Sequence, residues 1–243
     1  MAGRPLERGT KMIVSVHLAD IGLRAARDVL RSRPRPGALP GLRHAQTALT
    51  GDIAAGLPRL RPGRAALIAA WDDDAALDRF LADHPLAGHF ASGCQVRLEP
   101  LGVRGSWSGM PVEVAPDARP ADDDEQVVVL TLGETRLRRL GPFLRANSRA
   151  SGRAAADPAM TASAALARPP RFVGTLSVWR SLREMTAYAY GERRPEHRET
   201  VAAHRARPFH HEAAFVRFRP YAAHGTLGGR ALCETAAPGV TTP

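Results

Sequence analysis

A segment near the middle of the chain recurs near its end with its landmarks in the same order. One copy begins at Arg97 (RLEPLGVRGSWSG) and the other begins 120 residues later at Arg217 (RFRPYAAHGTLGG). Before each copy stands an apolar run that ends in a tryptophan, Trp71 in the first case and Trp179 in the second. This period is too long for a solenoid or a propeller and indicates two copies of a small domain.

The hydrophobic pattern of each copy predicts the order strand, helix, strand, strand, helix, strand. This is the split βαβ order of a ferredoxin-like unit. The sequence therefore predicts an α+β protein in which tandem ferredoxin-like repeats form, within one chain, the type of barrel known as a dimeric α+β barrel. We expect Asp20 to cap the first helix and a Pro/Gly-rich loop to follow the second strand at about 50–63. The expected divisions are a first half at 11–110, a linker at 111–125, a second half at 126–230 and a tail at 231–243.

The second copy is longer than the first. The two tryptophans are 108 residues apart, whereas the recurring segments are 120 apart, so about a dozen residues are added between Trp179 and Arg217. An addition of this length is typical of one helix. The sequence predicts helices at 181–190 and 196–206, and this inserted segment, which bears the second of them, is where we expect the chemistry.

Histidines are concentrated in and after this inserted segment. Because His197 and His204 are seven residues apart, they share one face of a helix. An imidazole on an apolar helical face could ligate haem iron, although most histidines in proteins serve the core or the surface. His84 occupies the position equivalent to His204, which favours a role in the fold for that pair, so His197 is the predicted iron ligand. Five of the nine histidines lie within 28 residues: His197, His204, His210, His211 and His224.

Aromatic residues are scarce, at 5%, but they are frequent in the second half. We expect four of them to line an apolar pocket for a flat cofactor or a long lipid, namely Trp107, Trp179, Tyr188 and Phe218. Ordinary core packing explains such aromatics equally well. Arginines beside the pocket could bind carboxylates. The candidates are Arg104, Arg180, Arg217 and Arg219, and of these we take Arg104 and Arg217 as the predicted cofactor-binding pair.

Composition and motifs exclude several classes of protein. The net charge is +10, but 33 of the 34 basic residues are arginine and no helix-turn-helix, zinc-finger or RNP signature is present, so we expect no specific nucleic-acid partner. A basic surface that contacts an anionic membrane is more plausible. Cys94 and Cys233 fit neither a zinc site nor a disulfide framework. No apolar stretch resembles a signal peptide or a membrane span, and we expect a cytoplasmic protein, at most peripheral to a membrane. Walker, G-x-G-x-x-G, G-x-S-x-G and H-E-x-x-H motifs are absent.

Several elements together resemble the spheroidene monooxygenase family of haem-dependent, carotenoid-modifying enzymes. The matching elements are the segments 104–109, 175–181, 185–191, 215–220 and 225–229, together with His197. The resemblance implies O₂ activation at haem iron held by His197, electrons from a small donor such as ferredoxin, and oxygen insertion into a long apolar polyene. The sequence departs from the family at Leu227, where a tryptophan is usual, which leaves the substrate open.

Two other classes of function are compatible with the residues. One is a barrel monooxygenase that uses no cofactor and acts on an aromatic, polyketide-like substrate held by Trp107, Tyr188 or a histidine. The other is a non-catalytic binding protein in which the repeat offers two surfaces to a partner.

Overall fold

A computed structural model gives the fold. The residues that it describes are 11–32, 34–53, 59–107, 110, 112, 114–139, 156–190 and 210–233. Within these ranges no helix is long and apolar enough to cross a membrane. His197, His204 and the predicted helix at 196–206 lie outside the described residues, as does most of the helix expected after Arg136.

Eight long strands and four helices make up the described chain, together with a short 3₁₀ turn at Leu137–Arg139 and a terminal hairpin. The strands are β1 (Ile13–Asp20), β2 (Leu42–Asp52), β3 (Arg59–Trp71), β4 (Cys94–Gly105), β5 (Val127–Thr135), β6 (Met160–Arg168), β7 (Phe172–Trp179), β8 (His210–His224), β9 (Thr226–Leu227) and β10 (Arg230–Ala231). The helices are α1 (Gly22–Arg31), α2 (Asp74–Asp83), α3 (Pro85–Gly88) and α4 (Leu182–Tyr190).

The eight long strands close into one barrel in the order β1-β3-β2-β6-β7-β5-β8-β4. Strands β1 to β4 form one antiparallel sheet in the order β4-β1-β3-β2, and β5 to β8 repeat that order. The two sheets join through β4 with β8 and through β2 with β6, both antiparallel. The predicted pair of ferredoxin-like repeats within one α+β chain is therefore confirmed.

Apolar side chains fill the interior of the barrel. Alternate residues of each strand point inward, as the pleat requires, and Val128, Leu130 and Leu132 of β5 are buried there. Leu227 and Leu232 of the terminal hairpin region are buried in the same cluster. Because its own side chains fill the interior of this eight-stranded barrel, the space for a large ligand lies on its outer faces.

A buried ion cluster marks the seam between β4 and β8. Glu99 and Arg219 occupy equivalent positions of the repeat and are directly paired across this seam, with Arg219 Nη1 3.2 Å from the Glu99 carboxylate. Lys11 Nζ lies 2.5 Å from the other oxygen of Glu99. Arg219 also donates to Glu125 at 2.5 Å and to the Arg119 carbonyl at 3.0 Å, which fixes the linker to the barrel. Burial alone would raise the pKa of Glu125, but the hydrogen bond from Arg219 holds it below its ordinary value.

Helices α1 and α2 cover the outer face of the first sheet. Trp71 is buried there, and its indole N–H donates to Ser15 Oγ at 2.9 Å. His17 Nε2 lies 2.9 Å from the same oxygen. Because His17 is fully buried and Arg97 is nearby, its pKa falls to about 4, so the imidazole is neutral at physiological pH.

Two local predictions for the first half are wrong. Asp20 belongs to β1 and does not cap α1; the helix begins at Gly22, whose φ of +77° turns the chain directly into it. The loop expected at about 50–63 is shorter, because β2 continues to Asp52 and β3 begins at Arg59. Gly51 allows this extended pairing, since a Cβ at that position would lie 1.9 Å from the Arg59 carbonyl oxygen.

Candidate functional site

The outer face of the second sheet is less covered than that of the first. In the first sheet the outward side chains of Ser15, His17, Leu67 and Trp71 are each 1% exposed. The corresponding face of β5 and β7 carries Val129, Thr131, Thr175 and Ser177, which are half-buried, and Trp179, the counterpart of Trp71, which is buried. The four half-buried side chains are small, so among the described residues they leave more space above the sheet. We therefore place the candidate site on this face.

Helix α4 borders the site and is held in place at its first turn. Ser181 caps the helix: its Oγ accepts from the Glu184 N–H at 3.1 Å and donates to Glu184 Oε2 at 3.2 Å. The Leu182 N–H donates to the Glu125 carbonyl of the linker at 2.9 Å. Farther along the helix, Tyr188 packs on Trp179 with ring centroids 4.8 Å apart. The capping and the ring contact fix the helix against the outer face of the sheet.

Arg217 and Arg104, the predicted cofactor-binding pair, both lie on strands at this outer face. Arg217 lies over Gly102, its direct partner on β4, where a Cβ would be 2.9 Å from an Arg217 Nη atom. Arg104 pairs with Phe215, and its guanidinium lies 5.3 Å from the centre of the Tyr190 ring. Within the described part of the chain, neither guanidinium group makes an ion pair or a hydrogen bond. Both cations are therefore available to an acidic ligand.

The repeat explains why Arg217 has no acidic partner among the described residues. Its equivalent in the first half, Arg97, donates to Asp74 at 2.6 Å and to Asp78 at 2.5 Å, both on α2. When Trp71 is aligned with Trp179, the residues of α4 that correspond to these two aspartates are Leu182 and Thr186. The second half therefore keeps the arginine and replaces both of its carboxylates by uncharged side chains.

A small groove lies beside Arg217. It has a volume of about 240 Å³, and Leu101, Leu182 and Arg217 form its side towards the sheet and α4. Linker residues close the other side: Val114, Ala118, Arg119, Pro120 and Ala121. This volume is below the range of about 300–1,000 Å³ that is typical of whole-ligand pockets. The groove therefore suits one acidic substituent of a ligand rather than an entire cofactor.

The single aromatic pocket predicted from sequence needs correction. Phe218 is fully buried in the barrel interior, and Trp107 packs against the same cluster, 5.4 Å from the Phe172 ring. Trp179 and Tyr188 lie on the other side of the sheet, under α4. Successive positions of a strand face opposite sides of the sheet, so the strand register decides which side each strand aromatic faces, and it places Phe218 inside the barrel and Trp179 outside it.

The remaining arginine candidates are already engaged. Arg219 belongs to the ion cluster at the β4–β8 seam, and Arg180 donates to the Pro158 carbonyl at 2.8 Å and to Glu184 at 3.2 Å.

Sequence reasoning missed Gly102, Leu182 and Thr186. The signal that could have identified the last two is the loss of two aspartates between equivalent helices.

His84, the repeat counterpart of His204, caps α3: its Nδ1 accepts from the Leu86 N–H at 3.2 Å, which is a structural role. The described ranges contain no group of three or more His, Cys, Asp or Glu side chains that could hold a metal ion. His197 lies outside these ranges, between the end of α4 at Tyr190 and the start of β8 at His210, so its role as iron ligand stays a prediction.

Sequence comparison identifies one informative relative. The chain is 26% identical over 170 residues to spheroidene monooxygenase of Rhodobacter capsulatus, and the match covers 68% of this chain and 70% of that protein. The chain is a distant homologue of spheroidene monooxygenase. By this homology it is a monooxygenase-like oxidoreductase. No family model matches the chain.

Solved structures share the fold at low sequence identity. An aldoxime dehydratase aligns with a TM-score of 0.55 and 11% identity over 95% of this chain and 90% of its own. A second aldoxime dehydratase, crystallised with butyraldoxime, aligns with a TM-score of 0.50 and 11% identity over 88% of this chain and 81% of its own. These two similarities support the architecture.

Proposed function

We propose that this protein is a haem-dependent monooxygenase that inserts one oxygen atom of O₂ into a long apolar, carotenoid-like substrate. The observation that carries the proposal is Arg217, a cation on the outer face of the second sheet whose repeat counterpart is neutralised by two aspartates. The distant homology to spheroidene monooxygenase supports the reaction class and the kind of substrate.

The residues on this face fit the acidic edge of a haem. Haem carries two propionates, and the guanidinium groups of Arg217 and Arg104 are two cations that form no ion pair with the described residues. Planar guanidinium groups bind carboxylates in a bidentate manner, so the two arginines would orient the group by its edge. The small side chains of Thr131 and Thr175 would leave room above the sheet. When bound, haem supplies the O₂ activation that no side chain provides.

Apolar side chains near Arg104 would guide the substrate. Phe215 and Tyr190 are 49% and 60% exposed, respectively, a high exposure for large apolar groups. An apolar chain that packed on them would remove this surface from water, at about 25 cal/mol for each Å² buried. These contacts would position the substrate and exclude water from the reacting carbon. The predicted electron donor is a small protein such as ferredoxin, and the net charge of +10 would attract a donor that carries an acidic surface.

Haem reconstitution of the full chain tests the cofactor and its ligand. We expect a Soret band for the wild-type protein, and a shifted or absent band for His197→Ala. The matched control is His204→Ala, which removes an imidazole seven residues away on the same predicted helix face and should keep the wild-type spectrum. A His197→Ala spectrum identical to that of the wild type would exclude His197 as the ligand.

Substitution of Arg217 tests the observation that carries the proposal. Because a charge-assisted hydrogen bond contributes about 1.5–3 kcal/mol, Arg217→Ala should weaken haem binding by at least about tenfold without unfolding the protein. Arg180→Ala is the control, since it removes an exposed arginine that already has partners. Equal affinity of both variants would contradict the proposed role of Arg217.

The same preparation distinguishes the two other functions. O₂-dependent turnover of an aromatic substrate by protein that takes up no haem would indicate the cofactor-free monooxygenase. Failure to bind haem or any apolar ligand would indicate the non-catalytic binding protein. Oxygenation of a carotenoid by the haem-loaded protein, with reduced ferredoxin as donor, is the result that we expect.

A further inference from the structure

A basic groove lies at the second seam of the barrel, where β2 meets β6. Its volume is about 550 Å³, and it lies between α1 and the end of β6. Three arginines line it, Arg27 and Arg31 from α1 and Arg168 from β6. The rest of the lining is apolar: Leu30, Leu49 and Pro169. Among the described residues no carboxylate lines the groove, so it combines positive charge with an apolar floor.

Arg168 is held in a fixed position at the base of the groove. It donates from Nη1 to Thr47 Oγ1 at 3.0 Å and from Nη2 to the Leu30 carbonyl at 2.5 Å. These bonds connect β6 of the second half to β2 and α1 of the first half. Its charge therefore stays at one place in the groove, and an incoming anion meets a preorganised cation.

Arg27 and Arg31 supply mobile charge at the rim. They are four residues apart on α1, so they lie on the same face of the helix, and both are exposed. Neither guanidinium group makes an ion pair or a hydrogen bond within the described part of the chain. Asp28, the acidic residue of α1, does not line the groove. Two flexible guanidinium groups and one fixed group are suited to the several oxygens of a phosphate.

An exposed leucine continues this face of α1. Leu23 is one turn before Arg27 and is 67% exposed, while the opposite side of the helix, with Ala26 and Val29, is buried against the barrel. A projecting apolar side chain beside several arginines is typical of helices that lie on a bilayer, because the arginines meet anionic head groups and the apolar residue enters the interface.

We propose that the groove formed by Arg27, Arg31 and Arg168 binds the phosphate of an anionic phospholipid and docks the protein on a membrane surface through α1. The apolar floor and Leu23 favour a lipid over a soluble phosphate, since a soluble anion gains nothing from them. The surface lies at the seam opposite β4–β8 and does not involve Arg217, so docking is independent of the proposed haem site.

Vesicle co-sedimentation of the full chain, without haem or substrate, tests the proposal. We expect binding to vesicles of phosphatidylcholine and phosphatidylglycerol in equal parts, and little binding to phosphatidylcholine alone. Each arginine near an anionic surface contributes about 1 kcal/mol, so the double substitution Arg27→Gln with Arg31→Gln should weaken binding by roughly thirtyfold. Leu23→Ser should cause a further, smaller loss that raising the salt concentration does not reproduce.

The control removes the same charge elsewhere. Arg79 and Arg138 are exposed and do not line the groove, so Arg79→Gln with Arg138→Gln should retain most of the binding. Equal losses in the two double variants would show that attraction is diffuse and would overturn the proposal. Stabilisation by inorganic phosphate without any vesicle binding would also overturn it, since the groove would then be a site for a soluble anion. We also expect the Arg27/Arg31 double variant to show the wild-type Soret band after haem reconstitution. Loss of vesicle binding would then be independent of haem binding.

Discussion

The two halves of the barrel share one topology but differ in what covers their outer faces. In the first half, α1 and α2 seal the sheet, Trp71 and His17 are 1% exposed, and Arg97 is neutralised by Asp74 and Asp78. In the second half Val129, Thr131, Thr175 and Ser177 on the outer face are half-buried, and Arg217 lacks such partners within the described part of the chain. The difference teaches that duplication allows one copy to supply stability while the other is free to acquire a site.

The largest expected effect of this difference is on the free energy of unfolding of two tryptophan variants. Trp71→Ala should cost about 3–5 kcal/mol, because Trp71 belongs to a large buried cluster in which its ring centroid is 5.0 Å from that of Phe80. Trp179→Ala should cost less, at the lower end of this range at about 3 kcal/mol, because the smaller cluster around it, with the half-buried Tyr188, can collapse into the space. Urea unfolding measures both values. Equal costs would mean that the second face is as tightly packed as the first.

The next effect is a loss of stability in mild acid that originates in the first half. The pKa of His17 is about 4 in the folded protein and about 6.5 in the unfolded chain, so the unfolded state binds more protons between these values. The contribution of His17 to the free energy of unfolding should be nearly full above pH 6.5, and the free energy should fall by about 2 kcal/mol between pH 7 and pH 5.

A variant of His17 isolates its contribution to that acid profile. Ile13 pairs with Trp71 and Val127 pairs with Trp179, so Thr131 is the repeat equivalent of His17. The substitution His17→Thr therefore places the second-half residue in the first half. Urea unfolding across this pH range should show a flatter profile for the variant, whatever its stability at pH 7. A profile parallel to that of the wild type would assign the acid sensitivity to other groups.

The smallest effect on stability is expected at the two equivalent arginines. Arg97→Ala should cost about 1 kcal/mol, because Asp74 and Asp78 are themselves half-exposed and their ion pairs are screened by solvent. Arg217→Ala should change stability by less than about 0.5 kcal/mol, since it breaks no ion pair with the described residues. Thermal unfolding of the two variants side by side provides this measurement.

A substitution in α4 sharpens the same comparison. Thr186 is exposed and corresponds to Asp78, so Thr186→Asp should give Arg217 a partner like that of Arg97. We expect nearly unchanged stability, since threonine and aspartate have similar helix propensities. Haem binding should be weaker, because the new carboxylate competes with the ligand for the guanidinium. Ala187→Asp, on the neighbouring exposed position, is the matched control for added charge. Equal haem affinity of Thr186→Asp and the control would contradict the interpretation that Arg217 binds haem because it lacks an acidic partner on α4.

The repeat made the architecture predictable. A strand order that occurs twice, with a tryptophan at the same place in each copy, is sufficient to predict two ferredoxin-like sheets, and the structure has both. Details that depend on backbone geometry were not accessible in this way. The start of α1 is set by the positive φ of Gly22 rather than by Asp20, and the length of β2 depends on the close approach of Gly51 to Arg59.

The candidate site was only partly predictable, because a sequence reveals residue types more readily than the side of a sheet that they face. Phe218 and Trp107 belong to the interior, whereas Trp179 belongs to the outer face, and this assignment depends on the strand register. Arg217 could be chosen as a candidate, but its availability depends on the residues opposite it. The absence of acids at Leu182 and Thr186 becomes meaningful once α2 and α4 are recognised as equivalent.

The pairing of Glu99 with Arg219 has a consequence for how such a barrel can exist. In a homodimer made from two identical halves, a residue on the two-fold axis faces its own copy, so Glu99 would meet a second glutamate and Arg219 a second arginine. A fused chain escapes this restriction, because each side of the axis is encoded separately and can carry the opposite sign. Neither half can therefore return to a self-paired ancestor without placing two like charges in contact at the centre of the seam.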